Sequence, residues 1–132
     1  MAAITPATMV RNGSVAFSPT AFTSTSATYT FNQPVDDKFF IYMEVTSTTA
    51  GQDATFTISA GSTTVAWQRG LGTLAVNLAS TGATTAYRTL IGPLETARFM
   101  GSTGAITVVI TSSGAGLVGF IGVAKMPYVV YS

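Results

Sequence analysis

Apolar and polar residues alternate with a period of two along much of the chain, and the alternating runs are bounded by Gly, Ser, Thr, Asn or Pro. Successive side chains on a strand point to opposite faces, so this pattern predicts strands rather than helices. The clearest run is 54–60, where Phe56 and Ile58 face inward and Thr55, Thr57 and Ser59 outward. Tyr29 and Phe31 alternate with Thr28 and Thr30 ahead of the turn Asn32-Gln33-Pro34. In 39–45, Phe39, Ile41, Met43 and Val45 share one face, and Phe40, Tyr42 and Glu44 share the other. Both faces are partly apolar, which places this strand centrally in a sheet whose second face is covered, by an N-terminal arm or by a partner subunit. Further strands are expected at 65–68, 74–78, 106–111 and 117–124, and 84–90 is read as extended. Gly92-Pro93 is read as opening an irregular stretch through Arg98.

Residues 1–26 carry Pro6, Pro19 and a Ser/Thr-rich run and read as an extended arm with short strand pieces or, equally, as a first strand of the domain. Their apolar residues, Ile4, Met9, Val10, Val15, Phe17 and Phe22, are too many for a free linker, so the arm is expected to lie on a surface, its own or a neighbour's. Residues 27–132 then form one domain, a size that 132 residues allow and two ordinary domains do not. Strands spaced about 8–12 residues apart, with no helical period beyond one turn, predict an all-β fold: an antiparallel β-sandwich or jelly-roll-like barrel with an extended N-terminal arm.

Composition sharpens this. Thr and Ser make up about a quarter of the chain, and Thr suits the solvent side of a pleated sheet. Charged residues are 8% of the total, against about 25% in ordinary soluble domains. The six cations are scattered and the net charge is +1, a poor basis for neutralising phosphates, so nucleic acid is not an expected partner. With no Cys and no His, the commonest metal ligands and the commonest general base are missing, and neither a metal nor a cofactor is expected. The N-terminus does not resemble a secretory signal. The longest apolar stretch, 116–124, is too short for a membrane helix and reads as a buried core strand rather than one stave of a membrane barrel.

Candidate chemistry is thin. Arg69-Gly-Leu-Gly72 lacks the Lys-Ser/Thr of a phosphate loop and no helix follows it, so it reads as a strand connection. Asp36, Asp37 and Asp53 have no calcium-loop spacing and read as solvated charge. No Ser-x-x-Lys supplies a nucleophile with its base, and no carboxylate pair is marked out for glycoside hydrolysis. The expectation is a protein that is not an enzyme. Few charges and a mean hydropathy of +0.44 instead favour permanent burial of surface in a homo-oligomer, whose interfaces are apolar and which covers sheet edges.

Three segments carry a resemblance: Ala66-Trp-Gln-Arg-Gly-Leu-Gly-Thr-Leu-Ala-Val76, Ile91-Gly-Pro-Leu-Glu-Thr-Ala-Arg-Phe99 and Ile106-Thr-Val-Val-Ile110. Over about 39–125 the chain resembles small β-rich virion proteins of tailed bacteriophages, the capsid decoration or cement proteins. The resemblance implies a domain on the outside of the virion, often a trimer, bound to the major capsid protein and clamping neighbouring shell subunits. Contact residues expected on that basis are Phe17 and Phe22 of the arm, Trp67 and Arg69 by the glycine loop, and Glu95 and Arg98. For the last two, three residues apart, pairing with each other across one helical turn is the alternative. A tail or fibre module binding host-surface carbohydrate, with Trp67 as a stacking platform, is the alternative.

Overall fold

The computed structural model describes residues 2–9, 13–22, 26–32, 38–47, 53–62, 69–79, 87–112 and 117–126. Among these described residues ten strands appear: β1 (Ala2–Ala3), β2 (Ala7–Thr8), β3 (Thr20–Phe22), β4 (Ser26–Asn32), β5 (Lys38–Ser47), β6 (Asp53–Ile58), β7 (Leu74–Ala79), β8 (Tyr87–Glu95), β9 (Ala105–Ser112) and β10 (Leu117–Met126). A 3-10 turn (Arg69–Leu71) precedes β7, and one helical turn, α1 (Thr96–Phe99), links β8 to β9. The strands form two sheets, ordered β1-β4-β9-β6-β7 and β2-β10-β5-β8, with β3 also on β10. The sheets pack face to face as an all-β sandwich and do not close into a barrel.

The core lies between the inner faces, and the period-two pattern supplies it. From β5 come Phe39, Ile41, Met43 and Val45; from β6, Ala54, Phe56 and Ile58; from β9, Ile106, Val108 and Ile110; from β10, Ile121 and Val123. Full burial of each large side chain contributes about 1.5–3 kcal/mol. Edge-on rings bind the sheets together: Phe31 meets Phe39 at 5.3 Å, and Phe39 meets Phe99 of α1 at 6.0 Å between centroids.

The segment read as an arm contributes strands to both sheets. β1 runs parallel to β4, Ile4 turns into the core, and β2 runs parallel to β10, so residues 2–8 close one side of the sandwich. β3 then pairs antiparallel with the same edge of β10, setting Phe22 opposite Gly119. These parallel pairings were not legible in an alternation that predicts only antiparallel neighbours.

One element differs from expectation. β8 does not stop at Gly92-Pro93 but continues to Glu95. It is the edge strand beyond β5, where the missing proline N–H deprives no ladder partner. Opposite Phe39 and Ile41 stand Leu94 and Ile91, so β8 spends one extra residue there as a bulge. The strand expected at 65–68 lies outside the described residues.

Candidate functional site

The outer face of the second sheet is built by the residues that alternate with the core. In β5 these are Lys38, Phe40, Tyr42 and Glu44, and the ladder extends them into rows. Phe120, Glu44 and Arg88 form one row; Gly122, Tyr42 and Leu90 the next; then Ala124 beside Phe40; then Met126, Lys38 and Glu95. The result is an apolar centre with a charged row at each end.

Each charged row carries an ion pair. Lys38 Nζ lies 3.3 Å from Glu95 Oε1, with both side chains about half exposed. At the other end, Arg88 Nε lies 3.5 Å from Glu44 Oε2, and the Tyr42 hydroxyl donates to the same oxygen at 2.6 Å. Burial, and then the bond to Glu44, push the Tyr42 hydroxyl above its ordinary pKa of 10.0, so it keeps its proton at neutral pH.

Residues 13–18 lie across part of this face. Phe17 meets Tyr42 edge to face at 5.7 Å and rests on Gly122, which is why that glycine is buried. Beside the ring opens a cleft of about 440 Å³ lined by Met9, Val15, Phe17, Tyr42, Leu90 and Ala124. Its walls are mostly apolar, and Leu90 at the rim is 63% exposed. Met9, Val15, Phe120 and Met126 are exposed as well, which makes this an apolar surface suited to contact with another molecule. Among the described residues no group of three Asp or Glu side chains converges as a metal site, and no helix is long and apolar enough to cross a membrane.

The residues singled out from sequence are dispersed. Phe17 lies on the face and is 40% exposed. Phe22 is only 2% exposed and packs edge-on against Phe56 at 5.9 Å, so it is part of the core and not of the surface. Trp67 lies outside the described residues, and Arg69 opens the 3-10 turn. Glu95 and Arg98 do not pair: Glu95 reaches across the sheet to Lys38, while Arg98 turns to the loop before β7. Arg98 Nε donates to Gly72 O at 3.1 Å, and its Nη2 donates to the carbonyls of Thr73 and Leu71 at 3.3 and 3.4 Å. This clamp holds the loop out with Leu71 65% exposed. The residues that sequence reasoning passed over, Tyr42, Leu90, Phe120 and Met126, carry one legible signal: apolar side chains at the positions that alternate with core residues.

Against family models, curated proteins and solved structures, the chain has no match.

Proposed function

We propose that this chain is a non-enzymatic structural domain that works by association with other protein subunits, and that it is a decoration protein on the head of a tailed bacteriophage. The observation that carries the reading is the apolar outer face of the second sheet, where Met9, Phe17, Leu90, Phe120 and Met126 stand exposed in a chain with few charges. The resemblance contributes the partner, the major capsid protein, and the place, the outside of the shell.

The segment 91–99 that carries most of the resemblance has structural work in this fold. It spans the end of β8, the bulge and α1, buries Thr96, Ala97 and Phe99, and supplies the Arg98 clamp. The loop it clamps has Leu71 65% exposed and open to contact with a shell. A protein that binds only assembled subunits stabilises the assembly by mass action, and many copies acting together need only weak individual contacts.

The test is co-sedimentation of the purified full chain with a panel of empty tailed-phage heads, followed by thermal disruption of the loaded and bare heads. Binding to at least one head with a higher disruption temperature is expected, and Leu71→Asp should weaken it. A chain that binds no head sinks the reading. Binding to host glycans instead would move it to a tail or fibre.

A further inference from the structure

We infer that the outer face of the second sheet is a two-fold interface that takes a second copy of this chain. This rests on reading that face as an association surface, and it adds the occupant and the symmetry.

The order of charges along the face carries this. Reading across the β10, β5 and β8 positions, one end row is Met126, Lys38, Glu95 and the other is Phe120, Glu44, Arg88. Sign reverses between the rows on both charged strands: Lys38 against Glu44 on β5, and Glu95 against Arg88 on β8. Two aligned sheet faces pack with their strands within about 30° of each other. A closed dimer with its faces together has two aligned arrangements. Rotation about an axis along the strands sets Lys38 on Lys38 and Glu44 on Glu44 when the axis runs over β5. Moved between β5 and β8, that axis sets Lys38 on Glu95 and Glu44 on Arg88, but leaves Phe120 and Met126 of β10 beyond the edge strand of the second copy. Rotation about an axis across the strands, between the rows of Phe40 and Tyr42, sets Lys38 on Glu44 of the second copy, Glu95 on Arg88 and Met126 on Phe120. Each meeting occurs twice.

Charge and apolar cover together therefore select the rotation across the strands: it alone sets opposite charges together on both charged strands and also covers Phe120 and Met126. The apolar parts agree with it. Phe17 stands over the row of Gly122 and Tyr42, and the rotation places that row opposite Ala124 and Phe40, where small Ala124 lines the cleft. The ridge of one copy thus faces the hollow of the other, with the apolar centre buried between two charged rims. A face complementary to itself closes at two copies, whereas the resemblance implies three.

The test is the native mass of the full chain by sedimentation equilibrium, with Lys38→Glu and Glu44→Lys prepared separately. The wild type should have twice the chain mass of 13.6 kDa. Each variant alone sets like charges opposite each other and should dissociate, with affinity at least about tenfold weaker. An equal mixture of the two restores opposite charges at both meetings and should recover the dimer. Positions 38 and 44 lie six residues apart on one strand and cannot reach each other within a copy, so recovery reports contact between copies. Leu90→Asp, at an exposed position that folding does not need, should be monomeric. A wild-type monomer or trimer, or a mixture that stays monomeric, overturns the inference. A monomer that still sediments with phage heads overturns only the two-fold face, and a dimer that ignores every head overturns only the shell reading.

Discussion

Two glycines three residues apart let the N-terminal segment grip β10 from both sides. Gly119 points inward, and a Cβ there would run into the backbone carbonyl of Glu44 and come within 2.6 Å of the Phe22 ring. Gly122 points outward, and a Cβ there would lie 2.5 Å from Cζ of Phe17. The obstacles differ in kind: a ladder carbonyl has nowhere to go, while a half-exposed ring can swing away. Gly119→Ala should therefore destabilise the fold by about 2–3 kcal/mol, and Gly122→Ala by about 1 kcal/mol or less, as measured by urea unfolding. The milder variant should instead show faster chymotrypsin cleavage at Phe17. Equal costs for the two substitutions would contradict the placement of the rings. Neither slot was legible in the run Gly119-Phe-Ile-Gly122, because a glycine in a strand signals that something comes close without naming what. For the same reason Phe22 and Phe17, alike in sequence, took opposite fates on the two faces.

Among the elements, β4, β5, β6, β7, β9 and β10 were legible, because a strand with one buried face writes its period directly into the residues. The end of β8 was not: Gly92-Pro93 is punctuation in most contexts and is tolerated here because the strand lies at an edge and bulges. The partners of Glu95 and Arg98 were equally hidden, since spacing along the chain offered each to the other while the sheet offered Lys38 and three loop carbonyls. The consequence is measurable at the loop. Arg98→Ala removes charge-assisted bonds to carbonyls 71–73 and should cost about 1–2 kcal/mol. Hydrogen exchange at the amides of 70–73 should rise while that of β6 and β9 stays slow. Unchanged exchange in that loop would mean the clamp does not hold it.

Over the whole molecule, the sandwich follows from strand count and spacing, whereas the outer face depends on pairing between β5, β8 and β10 that no local pattern contains. Stability against pH is also a property of the whole. With no His, no side chain has its ordinary pKa between about 5 and 8, and stability should be nearly flat there. Tyr29 is held above its ordinary 10.0 by burial, and Tyr42 by burial and by Glu44. Between the unfolded and folded pKa values the native chain binds more protons, so their contribution is fully present below pH 10 and is lost as pH rises beyond it. Urea midpoints at pH 7, 9 and 10.5 should fall only in the last step, and Tyr42→Phe should shallow that fall; a rise would contradict both assignments. The seam between residues 2–22 and β10 has a consequence for the order of events during synthesis. β2 and β3 are made before β4 to β9, yet the strand they dock on is β10, so they must wait until all of those strands have been made. Closing so long a loop is slow and cannot begin on a truncated product. Translation thus acts as a timer, and a chain cut short before β10 never acquires the folded edge that these two strands complete.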